Sequence, residues 1–268
     1  MIYKKVYFDE NDKDVFLECF VADKVDWFTR KAILVIPGGG YGGVCSDREG
    51  EPIAQAFMPY GYNAFVLHYS VRKKIFPQQL IEASWAMKHI KDNAQEYGID
   101  AEKVYAVGFS AGGHLTATLG VLWNNPDIYK AVDMPLGYNK PAGVMLIYPV
   151  ISGNEEYGHL GSFKNLFMKE EPTREELDMI SVEKFVDETS SPMFMMHTSN
   201  DQVVDVRNSL VLAEKLASMG VKFELHIYPD APHGAALSNK ITSIGNEKHE
   251  NPQIAKWVEQ AAAWADNL

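Results

Sequence analysis

The chain has 268 residues, 46% of them hydrophobic and 12% aromatic, enough to fill the core of one sizeable α/β domain. Its net charge of −11 argues against nucleic acid or an anionic membrane as a partner, because both need basic patches. Two cysteines, Cys19 and Cys45, are too few for a disulfide framework, no apolar run approaches a membrane span, and the first ten residues lack the apolar core of a signal peptide, so the expectation is a soluble, cytoplasmic protein.

Residues 2–8 and 15–21 read as strands separated by the polar turn 9–14, an antiparallel pair suited to a sheet edge. Residues 32–36 (AILVI) form a continuous apolar strand that runs into PGGGY at 37–41. A helix is expected over 50–60, with Pro52 in its first turn, and a buried strand over 63–69. From Pro77 to Tyr97 the apolar spacing predicts one long amphipathic helix, stopped by Gly98. After a strand at 104–107 and a helix at 115–122 comes a loop carrying Pro126, Pro135 and Pro141, then a strand at 144–148. Residues 152–191 are polar and charged, with helical fragments near 163–169 and 173–187, and read as a small cap inserted between two strands. A strand at 193–197, a helix at 206–219, a strand at 222–228 and a helix at 252–265 complete the chain. Strands alternating with helices from residue 32 onward imply a mostly parallel sheet covered on both faces, in one domain spanning 1–268.

The stretch with the sharpest chemical meaning is 103–114, KVYAVGFSAGGH. A β-branched and aromatic strand stops at Gly108 and a helix follows at once, so Ser110 sits on a tight turn between Gly108 and Gly112. This is the G-x-S-x-G nucleophile elbow. Strand and helix approach too closely there for side chains, and the turn lifts the hydroxyl above the sheet. It also sets the amide of Ala111 at a helix N-terminus, where it can donate to an anion.

A serine needs a base, and the base needs an acid to orient it. The strand ending at His197 leads into Asp201, and the strand ending at Tyr228 leads into PDAPHG, with His233. Asp205 competes for the acid role but directly precedes a helix and suits an N-cap, so the acid is assigned to Asp201. His68, His197, His226, His89 and His249 read as packed or solvated histidines. His159 could touch substrate without any specific signal, and His114 suits a core or supporting role. Gly38, Gly39 and Gly40 let bare backbone approach a reacting carbonyl. The G-x-G-x-x-G match at Gly38, Gly40 and Gly43 lacks a clear following helix and does not suit a dinucleotide. With no H-E-x-x-H, Cys/His cluster or P-loop, no metal and no cofactor are expected.

IPGGGY at 36–41, VGFSAGGHL at 107–115, MLIYPV at 145–150, HTSNDQVV at 197–204 and PHG at 232–234 resemble the α/β-hydrolase superfamily. The likeness is to hormone-sensitive-lipase-like esterases, and within them to the bacterial acetyl-esterase/xylan-esterase-like group. The resemblance implies Ser110 as nucleophile, His233 as base, Asp201 as acid, and Gly39, Gly40 and Ala111 as oxyanion donors. It departs from the wider pattern at Pro37, where histidine opens the HGGG motif elsewhere, and at Val204, where proline is frequent. The expected activity is hydrolysis of short-acyl, acetyl-type esters such as O-acetylated sugars through an acyl-enzyme. Tyr41, beside the glycine loop, is a candidate to pack against the sugar. An amidase or formamidase of the same fold, a non-catalytic binding protein on the scaffold, and association into a homo-oligomer stay open at this point.

Overall fold

In a computed structural model, which describes residues 1–9, 11–130 and 132–268, eight strands form one sheet. Glu10, in the expected turn, and Ala131, in the proline-bearing loop, lie outside the described residues. The strands are β1 (Ile2–Asp9), β2 (Asp12–Val21), β3 (Arg30–Ile36), β4 (Tyr62–His68), β5 (Ile99–Phe109), β6 (Val144–Ile147), β7 (Met193–Thr198) and β8 (Phe223–Tyr228), ordered β1-β2-β4-β3-β5-β6-β7-β8. The first two pair antiparallel with each other, β2 runs antiparallel to β4, and every later pairing is parallel.

The continuous apolar runs have a direct cause. Alternate residues of each central strand enter different cores: Ala32, Leu34 and Ile36 point to one face, and Ile33 and Val35 to the other. The first face is covered by α3 (Gln78–Asp92), α5 (Ser110–Leu122) and α9 (Arg207–Ser218), the second by α2 (Glu51–Phe57) and α10 (Trp257–Asp266). Short helices α1 (Ser46–Glu49), α4 (Ala94–Tyr97) and α6 (Pro126–Tyr129) lie in the connections.

The expected helix over 77–97 is interrupted. The Asn93 side chain donates to the His89 carbonyl at 2.7 Å, which ends α3, and α4 follows before Gly98 closes it at φ 62°. Between β6 and β7, helices α7 (Leu160–Phe167) and α8 (Arg174–Met179) occupy the segment expected as a cap. Thr173 and Glu176 form a reciprocal capping box that starts α8, which stops well short of residue 187. Phe163, Leu166 and Phe167 are buried against the first core, whereas Met168 is exposed.

Candidate active site

Ser110 is the first residue of α5 and has φ 51°, a left-handed conformation rare outside glycine, while Phe109 before it is extended. Its glycine neighbours are required by contact. A methyl on Gly108 would lie 2.1 Å from Thr116 Oγ1, and one on Gly112 would lie 2.2 Å from the Ile36 carbonyl oxygen. The turn therefore projects the serine from the carboxyl end of β5, beside the loop that leaves β3.

Three side chains from three loops converge there. Ser110 Oγ donates to His233 Nε2 at 2.9 Å, and His233 Nδ1 donates to Asp201 Oδ2 at 2.7 Å. The Asp201 side chain is fully shielded from solvent, and its other oxygen accepts the amides of Val203 and Val204 at 2.9 and 3.0 Å. Burial acts to raise this carboxyl. Hydrogen bonds from His197 and His233, the charge of His233 and the Val203 amide overcome that effect and hold it well below the usual carboxylate range. Asp205 instead accepts the Arg207 amide at 2.8 Å and pairs with the Arg207 guanidinium.

His197, expected as a packed strand histidine, stands beside Asp201. Its Nε2 donates to the Val204 carbonyl at 2.9 Å and lies 3.5 Å from Asp201 Oδ2, while Ser209 donates to Nδ1 at 2.8 Å. The sequence signal for this was available: His197 and Asp201 close the two ends of the turn HTSND after β7.

The glycine loop takes backbone conformations that side chains disfavour, and it is anchored. Gly39 has φ 125° and Gly40 φ 61°. The Gly38 amide donates to Glu49 Oε2 at 2.8 Å, whereas the amides of Gly39 and Gly40 have no hydrogen-bond acceptor among the described residues. Glu49 is wholly buried, and burial raises its carboxyl above the usual range against the lowering effects of the Gly38 amide and the Arg48 charge. Its other oxygen accepts from Tyr148 at 2.9 Å, and the Tyr148 ring packs edge-on to His233 with centroids 4.9 Å apart. From α7, Asn165 donates to the Gly40 carbonyl at 2.8 Å.

Tyr41 requires a correction. It is 1% exposed and donates to His114 Nδ1 at 2.7 Å, with its ring against Tyr69 and His114, so it supports the loop from beneath and presents no surface to a sugar. A polar tip that finds a buried acceptor draws the aromatic inward. His114 in turn donates from Nε2 to the Ile180 carbonyl at 2.7 Å, and burial pushes its pKa down to about 4. It thus ties α5 to the glycine loop and to the segment between β6 and β7 in its neutral form.

The resulting cleft, of about 160 Å³, is lined by Gly39, Gly40, Arg48, Ser110, His159 and His233, together with Cys45, Glu49 and Val203. His159 donates or accepts through Nδ1 with Ser162 Oγ at 2.8 Å, and burial, then the charge of His233, lower its pKa. Among the described residues no group of His, Cys, Asp and Glu is arranged to hold a metal ion, and no helix is long and apolar enough to cross a membrane. A hydroxyl backed by an imidazole and a carboxylate, in a cleft lined by two glycines with unused amides, is an arrangement with the chemistry to attack a carbonyl and to offer donors to the oxyanion that forms.

The eight-stranded, mostly parallel sheet with a positive-φ serine on the turn after β5 is the architecture of an α/β-hydrolase. A protein of Butyrivibrio fibrisolvens named endo-1,4-beta-xylanase B is 38% identical over 219 residues, 78% of this chain and 33% of that protein. An acetylxylan esterase of Xylanibacter ruminicola is 27% identical over 207 residues, 76% of this chain and 41% of that one. The chain therefore spans only about a third to two-fifths of these relatives. The crystal structure of an acetyl ester-xyloside bifunctional hydrolase from Caldicellulosiruptor lactoaceticus superposes with TM-score 0.83 at 30% identity, covering 99% of this chain and 96% of that one. The BD-FAE family model matches residues 22–216, and the chain belongs to that family; the dienelactone hydrolase family model matches residues 178–264.

Proposed function

We propose that this chain is a serine carboxylesterase acting on acetyl-type esters of sugars through an acyl-enzyme on Ser110. The observation that carries the reading is the hydrogen-bonded line Ser110–His233–Asp201, with distances of 2.9 and 2.7 Å, in a cleft also lined by Gly39 and Gly40, whose amides have no acceptor among the described residues. Ser110 Oγ attacks the ester carbonyl while His233 Nε2 takes its proton, and Asp201 holds the imidazole in the tautomer this requires. The amides of Gly39, Gly40 and Ala111 receive the oxyanion. His233 then protonates the departing alcohol, activates water against the acyl-enzyme, and returns the proton to Ser110 as the carboxylic acid leaves.

The small cleft supports the short-acyl part of the reading, with residues 152–191 acting as its cap through the Asn165–Gly40 contact. Each further methylene would otherwise be worth about 0.8 kcal/mol of burial, which a cleft this size cannot supply over a long chain. The sugar part draws on the names of the xylanase, acetylxylan esterase and xyloside hydrolase relatives. A cytoplasmic location fits the two free thiols, Cys19 and Cys45.

The test is hydrolysis of p-nitrophenyl esters from C2 to C12, then of acetylated xylo-oligosaccharides, by wild type and Ser110→Ala. Mass spectrometry after a serine-directed phosphonate should place the label on Ser110. Labelling elsewhere would remove the nucleophile assignment, an optimum at C8 or longer would remove the short-acyl reading, and preferred cleavage of a matched anilide or formanilide would make the enzyme an amidase.

A further inference from the structure

Arg48 lies in the wall of the catalytic cleft, and the chemistry just described makes no use of it. Its side chain is 31% exposed, and its Nε is buried without a hydrogen-bond partner among the described residues. The neighbouring carboxylate belongs to Glu49, with Nε 3.9 Å from Oε1, too far for a hydrogen bond. Both Glu49 oxygens are already engaged, one by the Gly38 amide and the other by the Tyr148 hydroxyl. Glu49 thus balances the charge of Arg48 without taking its hydrogens. Among the described residues the guanidinium's own hydrogen bond goes to the Cys45 sulfur, 3.9 Å from Nη2, a weak acceptor.

Position decides what those donors can reach. The guanidinium packs against the residue that follows the catalytic histidine: a methyl on Gly234 would lie 3.4 Å from Nη2. In ester hydrolysis the leaving oxygen must lie over His233 Nε2 to be protonated, and a guanidinium packed against Gly234 in the wall of the same cleft is a neighbour for the alcohol group which that oxygen carries. A planar fork of N–H donors there suits closely spaced oxygens. Because Glu49 supplies the counter-charge, neutral hydroxyl and ring oxygens suffice as acceptors and an anionic ligand is not called for.

We propose that Arg48 is a specificity-determining residue that hydrogen-bonds the free hydroxyl oxygens of a sugar alcohol while its ester is cleaved. This inference rests on the sugar-ester reading of the site. It assigns Arg48 a role beyond that of counter-ion to Glu49, and the two roles separate experimentally.

The readout is the ratio of kcat/KM for mono-O-acetylated methyl β-xylopyranoside to that for phenyl acetate, whose alcohol carries no other oxygen. Arg48→Met removes charge and donors; Arg48→Lys keeps a partner for Glu49 and loses the fork, so it guards against a misfolded Met variant. Losing hydrogen bonds from a charged donor lowers the ratio by about tenfold to a hundredfold in Arg48→Met, and Arg48→Lys lowers it in the same direction. Circular dichroism melts accompany both variants. If both variants fold and the ratio stays within twofold of wild type, or if only Arg48→Met loses activity and does so equally on both esters, Arg48 is a counter-ion only and the proposal is overturned. A wild-type enzyme that cleaves phenyl acetate but no acetylated xyloside gives a different result: it refutes the sugar reading itself, and this inference falls with it.

Discussion

Replacing Asp201 by asparagine tests the geometry of the site closely, because four donors surround that carboxylate. The amides of Val203 and Val204 point at Oδ1, and the ring nitrogens of His233 and His197 lie 2.7 and 3.5 Å from Oδ2. An asparagine that turned its NH₂ toward the two amides would face two donors at 2.9 and 3.0 Å, so its oxygen must stay on that side. Its NH₂ then faces His233 Nδ1, which has to become an acceptor. The imidazole proton moves to Nε2 and confronts Ser110, leaving no base where one is needed. The expected loss in kcat is about 10⁴-fold, or about 5 kcal/mol, with little change in fold because the side chains are isosteric. Steady-state hydrolysis of p-nitrophenyl acetate, with the rate of phosphonate labelling as a second readout, measures it. Asp205→Asn serves as the control and should be nearly silent, since asparagine can still accept the Arg207 amide. Asp201→Asn activity within tenfold of wild type, or a reversed order of the two variants, would refute the assignment.

Ser110→Ala and His233→Ala should each lower kcat by about 10⁴-fold or more, with the double variant little worse than either; multiplying losses would show that the pair does not act as a unit. Gly39→Ala should fail to fold stably in urea melts, because its methyl would sit 2.3 Å from the Gly43 carbonyl oxygen at φ 125°. Gly40→Ala, with only Ser162 Oγ at 3.8 Å and φ 61°, should fold with a cost of about 1–2 kcal/mol. His114 has its pKa lowered from 6.5 to about 4, so the stability it contributes is present above pH 6.5 and lost as pH falls toward 4. The loss amounts to about 3 kcal/mol. Thermal melts across that range should show a shallower fall for His114→Gln than for wild type, a difference that isolates this residue from the other histidines, and an equal slope would contradict it.

The amino-acid sequence determined by itself the succession of strands, the longer helices between them and the three loops that carry the polar residues of the cleft. These depend on neighbours along the chain. Apolar runs such as 32–36 mark strands buried on both faces, Gly108 and Gly112 mark a turn with no room for side chains, and Asp201 and His233 follow strand ends. Local pattern was insufficient where a side chain's partner is distant in sequence. Tyr41 beside a glycine loop reads equally well as facing outward or inward, and His114, 73 residues away, turns it inward. Glu49 carries no signal in the sequence and stands out only when the fold buries it against Gly38 and Tyr148, and the break at Asn93 rests on a side-chain contact that leaves the apolar period intact. The strand order, with β3 between β4 and β5, was likewise settled only when the pieces packed. Periodicity and turn chemistry act over a few residues, whereas the burial of a polar group is decided by which acceptor the assembled sheet brings within about 3 Å.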